Sequence, residues 1–139
     1  MVYVVLINLL STFMLTGLIW TIQIIHYPSF KYISQNQFPD FMTFHMNKIT
    51  YIVMPLMLLE LMSASYLFIY IFSTFTIINF LFVVFIWLST FLLSIPCHNK
   101  LKEKYDPKTI EKLVITNWPR TILWSLKSIL SILIMIKYK

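Results

Sequence analysis

The sequence predicts an all-α fold, an integral membrane protein built as a four-helix antiparallel bundle. Of the 139 residues, 59% are apolar and only 12% are charged, and the mean hydropathy is +0.79. So few polar side chains cannot cover a water-soluble globule. A spanning helix needs about 20 mostly apolar residues, so four spans with short connections use nearly the whole chain. We therefore expect a single transmembrane domain with both termini on one side of the membrane.

The first predicted span covers residues 2–25 and ends at His26-Tyr27-Pro28. Proline disfavours helical geometry in the residue before it and cannot donate a backbone hydrogen bond. The loop that follows is rich in phenylalanine, which indicates a segment lying against the membrane interface. A basic n-region is missing from the N-terminus, and the chain's only alanine is Ala64. We therefore expect this hydrophobic segment to be retained rather than cleaved as a signal peptide.

The other spans are predicted over residues 49–72, 77–95 and 118–136. Pro55 should kink the second span, because the helical hydrogen bond is lost there. A short uncharged turn makes the second and third spans antiparallel neighbours, and the third should stop at Pro96. Asp106 followed by a proline has the pattern of a helix N-cap. This pattern predicts a short amphipathic surface helix over residues 107–116.

Positive charge is distributed unevenly between the two ends of the predicted bundle. Eight cations lie in or beside the first and third loops, against two at the opposite end. The eight are Lys31, Lys48, Lys100, Lys102, Lys104, Lys108, Lys112 and Arg120. The positive-inside rule then predicts that loops one and three are cytoplasmic and that the termini lie outside. Heavy use of Ile, Phe, Tyr, Asn and Lys is typical of an AT-rich bacterial genome, which suggests a bacterial inner membrane.

The three histidines, His26, His45 and His98, lie at span ends that this topology brings to one membrane face. Three imidazoles can bind a metal ion or a haem, or act as acid and base on a substrate. Imidazoles are also stable at a membrane interface without any such role, and no H-x-x-x-H spacing supports chelation. The cofactor is therefore left open between a metal ion, a haem and none. A single cysteine, Cys97, excludes an internal disulfide and a multi-cysteine zinc site.

Glu60 and Lys127 lie near the middle of their spans, where a charge costs roughly 2.5 to 3.5 kcal/mol. Their depths differ by only about one helical turn, which predicts an ion pair. The pair either only fixes helix order, or Glu60 lines a cavity together with His45. Arg120 either snorkels to the interface beside Trp118, or uses its planar guanidinium to hold an anionic or enolate oxygen.

These patterns define the candidate site. The candidate catalytic residues are His26, His45, His98 and Arg120, and the same three histidines are the candidate metal ligands. The candidate substrate or cavity residues are Gln23, Glu60, Asn117, Trp124 and Lys127.

Two segments in the C-terminal half carry a family resemblance. Thr90 and Ile95-Pro96-Cys97-His98-Asn99-Lys100-Leu101 are followed, after a polar loop, by Thr116-Asn117-Trp118-Pro119-Arg120-Thr121. This arrangement resembles the anthrone-oxygenase-like family of small four-helix membrane proteins, with His98 where that family usually has Asn. The resemblance covers about half of the chain. It implies the same fold, and a cofactor-independent or metal-assisted oxygenation of a polycyclic phenolic substrate.

Two functions from different classes fit the sequence. The first is a membrane oxidoreductase or oxygenase acting on a lipophilic small molecule that enters from the lipid bilayer, with the histidines moving protons and Arg120 stabilising an oxyanion. The alternative is a non-catalytic accessory or channel-like subunit, favoured by the lack of a strong catalytic motif. A homo-oligomer is compatible with both. Nucleic acid is not an expected partner, because the lysines of loop three alternate with acids beside a membrane.

Overall fold

The computed structural model describes residues 1–138, and within them the chain folds into four long helices and no strands. The helices are α1 (Val2–Tyr32), α2 (Phe38–Tyr70), α3 (Thr74–Glu103) and α4 (Pro107–Tyr138). Each is long and apolar enough to cross a membrane. The predicted all-α four-helix bundle is confirmed, and the length and composition of its helices fit an integral membrane protein.

The helices pack as a closed ring in which each contacts its two neighbours along the chain and α4 returns to α1. Short connections make neighbouring helices antiparallel. The loops after α1 and α3 therefore share one end of the bundle, here called the two-loop end. The turn between α2 and α3 shares the opposite end with the termini, where the Lys137 ammonium lies 4.9 Å from the Phe75 ring centroid.

Both α1 and α3 contain a π-helical turn close to the two-loop end. The turns cover Ile22–His26 and Thr90–Ser94, and a proline follows two residues after each, at Pro28 and Pro96. The prediction that these prolines end their helices is wrong, since both helices continue beyond them. A proline lacks the N–H and crowds the carbonyl four residues earlier. The wider π turn shifts the hydrogen bonds just before the proline, and such turns are often found at functional sites.

Residues 107–116 are the first turns of α4 rather than a separate surface helix. Asp106 caps this helix as predicted, accepting hydrogen bonds from the Lys108 backbone N–H at 3.2 Å and the Thr109 hydroxyl at 2.5 Å. The apolar face of this segment is buried, with Ile110 and Leu113 fully inside the protein. That face packs on protein rather than on lipid headgroups, and the same helix continues past Pro119 into the fourth span.

A hydrophobic cap closes the two-loop end of the bundle. Its buried members are Ile22, Tyr27, Phe30, Phe38, Met42, Cys97, Leu101, Ile110 and Leu113. Phe30 and Phe38, expected at the membrane interface, are fully buried in the cap, whereas Phe44 is exposed. The loop phenylalanines thus mainly shield what lies beneath them.

Candidate functional site

The three histidines meet directly beneath the cap, as the topology predicts. His26 comes from α1, His45 from α2 and His98 from α3. The Nε2 atom of His26 lies 2.9 Å from Nδ1 of His45, a hydrogen-bond distance, and the ring centroids of His45 and His98 are 5.7 Å apart. Phe30 covers the pair, with its ring centroid 5.1 Å from that of His26 and 5.5 Å from that of His45.

This arrangement does not match a three-histidine metal site. His26 and His45 each use one ring nitrogen in their mutual hydrogen bond. Within residues 1–138, no group of three His, Cys, Asp or Glu side chains has the geometry to hold a metal ion. Metal ligation by His26, His45 and His98 would require these rings to turn and give up that bond. Binding of a metal ion or a haem therefore stays a prediction.

A cavity of about 360 Å³ lies below the histidines, among all four helices. Most of its wall is apolar and comes from α1 and α2. Thr50 and Met54 also line it and are exposed on the outer face of α2, so the cavity reaches the surface that faces lipid. The polar part of the wall consists of Tyr27, His45, Thr90, Ser94, His98 and Arg120, and the Trp124 side chain forms another part of the lining.

Arg120 is held at the cavity wall by neutral groups. Its guanidinium donates to the side-chain oxygen of Asn117 and, at 3.5 Å each, to the hydroxyls of Tyr27 and Thr90. The Asn117 amide donates in turn to Gln23 Oε1 at 2.7 Å. Gln23 and Asn117 therefore position Arg120 from behind the wall and do not line the cavity.

The snorkelling interpretation of Arg120 is wrong. The side chain is buried and points into the bundle, because Asn117, one turn earlier on α4, turns it inward. Trp118, in contrast, is 42% exposed and fits the role of an interfacial anchor.

The predicted ion pair lies deeper in the bundle. Lys127 Nζ is 3.1 Å from Glu60 Oε1, and both side chains are fully buried. The ammonium also donates to the Thr12 hydroxyl at 2.6 Å, and the Trp124 indole N–H lies 3.2 Å from both carboxylate oxygens. We call Thr12, Glu60, Trp124 and Lys127 the ion-pair cluster.

The ion-pair cluster lies beside the cavity, and Trp124 is the member that reaches its wall. The Glu60 carboxylate accepts from the Trp124 indole N–H and pairs with Lys127, and neither charged residue lines the cavity. The alternative in which Glu60 lines the cavity with His45 therefore does not hold. The cause is that hydrogen bonds from Thr12, Trp124 and Lys127 hold the carboxylate inside the bundle.

Three side-chain atoms of residues that line the cavity have no hydrogen-bond partner within residues 1–138. They are Nε2 of His98, Oγ of Ser94 and Nε of Arg120, all buried. Buried polar groups in native proteins are normally hydrogen-bonded. Six other buried side-chain atoms of the described chain are also unpaired, so what is specific to the cavity is that these three belong to residues of one wall. A bound molecule that contacts these atoms would supply the missing hydrogen bonds.

Sequence reasoning missed Tyr27 and Ser94 as members of this wall. Ser94 lies midway between Thr90 and His98, four residues from each, and this spacing places all three near one helix face. Polar residues of α4 repeat at intervals of three and four in the same way. They are Asn117, Arg120, Thr121, Lys127, Ser128 and Ser131, all buried. A search for polar stripes inside the spans would have found both sets.

The fold and the cavity together define a class of protein: a small helical membrane protein with an apolar cavity, a polar wall at one end and a hydrophobic cap above it. A scan against protein-family models, a search of curated proteins and a search of solved structures give no match, so the resemblance to the anthrone-oxygenase-like family stays a prediction.

Proposed function

We propose that this protein is a membrane-embedded enzyme of the oxidoreductase or oxygenase type that acts on a lipophilic substrate in the cavity. The observation that carries the proposal is the polar wall itself. An unpaired imidazole nitrogen and a buried guanidinium share one wall of an otherwise apolar cavity that reaches the lipid-facing surface. Cavities of this kind, mostly apolar with a few convergent polar groups, are typical of small-molecule sites.

In this proposal His98 is the general base. Its unpaired Nε2 takes a proton from an acidic C–H or O–H group of the substrate, and Arg120 with the Tyr27 hydroxyl stabilises the enolate or phenolate that forms. His45 lies against His98 and is oriented by its hydrogen bond to His26. Trp124 offers a flat apolar surface to the body of the substrate.

The oxidation balances with dioxygen as co-substrate. An enolate is electron-rich and can be oxidised by dioxygen, and conversion of a CH₂ group to a carbonyl consumes one O₂ and releases one H₂O. The chain's own residues supply proton transfer, stabilisation of the anion and exclusion of water. The hydrophobic cap supports the last role, because it covers the polar wall on the side that faces the aqueous phase.

We also propose that the two-loop end is cytoplasmic, in a bacterial inner membrane. The excess of Lys and Arg near that end supports this orientation. In a Cys97→Ser background, a cysteine at Ser34 should react with a membrane-impermeant maleimide in inverted vesicles but not in intact cells. A cysteine at Thr74 should behave in the opposite way, and the reverse result for both positions would invert the topology.

The enzymatic proposal is tested by dioxygen uptake. Purified protein in lipid nanodiscs is given 1,8-dihydroxyanthrone, and uptake is compared with that of protein-free nanodiscs. A general base contributes about 10²- to 10⁴-fold, so His98→Gln should remove most of the catalysed uptake. Arg120→Gln should do the same, because the developing oxyanion loses its cationic partner. Lys102→Gln is the matched control, since it removes one exposed positive charge that lies in no ion pair and away from the cavity and its opening.

Equal uptake by wild type, His98→Gln and protein-free nanodiscs would contradict catalysis on this substrate class. If other enolisable lipophiles gave the same result, the non-catalytic accessory or channel-like subunit would become the leading alternative. Catalysed uptake that survives both His98→Gln and Arg120→Gln would place the chemistry elsewhere in the bundle.

A further inference from the structure

Arg120 is a buried cation without a buried anion. Only 7% of the residue is exposed, and the protein groups that it contacts, Asn117, Tyr27 and Thr90, are all neutral. The ion pairs within residues 1–138 are Lys31–Glu111, Lys100–Asp106 and Lys127–Glu60, and Arg120 belongs to none of them.

A charge in this position is costly unless something compensates it. Charged side chains within membrane spans almost always find a partner of opposite charge or a wet cavity. Arg cannot relieve the cost by losing its proton, because the guanidinium stays charged at all accessible pH values. Lys127, seven residues further along α4, has its carboxylate at 3.1 Å. No carboxylate of residues 1–138 pairs with Arg120, and the space next to its side chain that an anion could occupy is the cavity that it lines.

The surroundings define what kind of anion fits. Ser94 Oγ is unpaired on the same wall, and its hydroxyl can donate to an anionic oxygen head group. Arg120 is the one Lys or Arg on the wall in the described chain, so a single negative charge is balanced and a dianion is not. The remaining lining is mostly apolar, including Leu15, Ile19, Ile49, Val53 and Met57, which suits a hydrocarbon or ring body.

We propose that the cavity binds an amphiphile as a monoanion, with one carboxylate or phenolate head on the Arg120 guanidinium and an apolar body against Trp124. This inference rests on the proposed function for the position of the site and specifies the class of its ligand. A planar guanidinium binds a carboxylate through paired, charge-assisted hydrogen bonds, which a neutral ester cannot match. Thr50 and Met54 mark where the body enters from the bilayer.

The test compares matched acid and ester probes and needs no turnover. Trp20, Trp87 and Trp118 are replaced by Phe, so that Trp124 is the remaining tryptophan. The protein is placed in nanodiscs of zwitterionic lipid, and quenching of Trp124 is measured with a brominated dodecanoate and with its methyl ester. A hydroxyanthraquinone and its methyl ether form the second pair, which separates a fatty acid from an aromatic phenolate as the source of the anion.

We expect the acid of at least one pair to bind about tenfold or more tightly than its neutral partner, because hydrogen bonds to charged groups contribute at least that factor. Arg120→Gln should abolish the preference, Arg120→Lys should keep part of it, and Lys102→Gln, which removes an exposed charge away from the cavity, should leave it unchanged. Circular dichroism in the helical region shows whether each variant is folded. If Arg120→Gln is not folded, wild type is compared with Arg120→Lys alone.

Equal affinity for acid and neutral partner in both pairs would overturn the inference, as would a preference that persists in folded Arg120→Gln. Its failure is distinguishable from that of the enzymatic proposal. Anion-selective binding without dioxygen uptake would contradict the enzymatic proposal and support the anion site. Dioxygen uptake together with equal affinities for the acid and its neutral partner would contradict the anion site and support the enzymatic proposal.

Discussion

Two buried cations on α4, Lys127 and Arg120, have opposite kinds of partners. Lys127 lies among polar partners that satisfy it: the carboxylate of Glu60, the hydroxyl of Thr12 and, around that carboxylate, the Trp124 N–H. Arg120, two turns closer to the two-loop end, has neutral partners, an unpaired Nε and a cavity beside it. Both sites use the same helix and the same inward face.

The difference separates a structural site from a binding site. A buried ion pair with its hydrogen bonds completed inside the protein has little left to offer a ligand. A buried cation whose hydrogen bonds stay incomplete beside a cavity has a cost that a ligand can remove. Burial and charge alone do not distinguish the two, whereas the presence of a counter-charge at Lys127 and of a cavity beside Arg120 does.

The largest expected effect is the loss of the ion pair. Glu60→Leu leaves Lys127 buried and uncompensated, and breaking a buried pair from one side costs about 3 to 5 kcal/mol. The midpoint of thermal unfolding in detergent, followed by circular dichroism, should fall by many degrees.

The control for this prediction is the double variant Glu60→Leu, Lys127→Met. Replacing both charges by apolar side chains removes the unpaired ammonium, so most of the lost stability should return. Unchanged stability in Glu60→Leu alone would show that the pair contributes nothing, and the contrast between the two cations would then fail.

A smaller effect is expected at the histidine pair. His26→Ala removes the hydrogen bond to His45 and an edge contact to Phe30. One such bond contributes about 0.5 to 1.5 kcal/mol net. Unfolding should therefore shift only modestly, while His45 loses its fixed orientation, measurable as a change in its imidazole NMR signals. His26→Asn keeps a hydrogen-bonding group and should recover part of the stability and part of the His45 signal. An unaltered His45 signal in His26→Ala would show that the hydrogen bond between His26 and His45 is not formed.

Arg120→Met should change the stability of the ligand-free protein by less than about 1 kcal/mol, in contrast to Glu60→Leu. The substitution gives up hydrogen bonds to Asn117, Tyr27 and Thr90 but also removes an uncompensated charge. The same unfolding measurement, made side by side on delipidated protein, checks it. A loss as large as that of Glu60→Leu would mean that Arg120 has a structural counter-charge, and the binding-site interpretation would weaken.

The sequence predicts those features of this molecule that depend on local composition or on depth in the membrane. Span number and the Glu60–Lys127 pair follow from hydropathy and depth, since few charges are available in the membrane to pair. The predicted ends of α1 and α3 were wrong because both helices continue past Pro28 and Pro96, each after a π turn, and a π turn has no simple sequence signal.

The wall of the cavity was only partly predictable, for a related reason. His45 and His98 were visible as isolated polar residues. The role of Tyr27 depends on how the π turn of α1 orients the residue after it, and that orientation is set by packing against α3 and α4. Long-range packing of this kind leaves no pattern in the local sequence.

The smallest expected effect lies outside the membrane spans, at Asp106, the N-cap residue of α4. The hydrogen bond from Lys100, 2.8 Å away, followed by that from Thr109, lowers the pKa of Asp106 from 3.8 to about 2. Because the folded-state pKa lies below the unfolded value, the stabilising contribution is complete above the unfolded pKa and is lost as the pH falls towards 2. An exposed pair of this kind contributes far less than the buried one.

Asp106→Asn isolates this contribution, because asparagine caps helices about as well as aspartate but carries no charge. The difference in unfolding midpoint between wild type and variant should be small and constant near neutral pH and should shrink towards zero as the pH approaches 2. A difference that is independent of pH would show that the ionisation of Asp106 contributes nothing to stability. The Lys100 pair would then add nothing, and the contrast between exposed and buried ion pairs would be sharper than proposed.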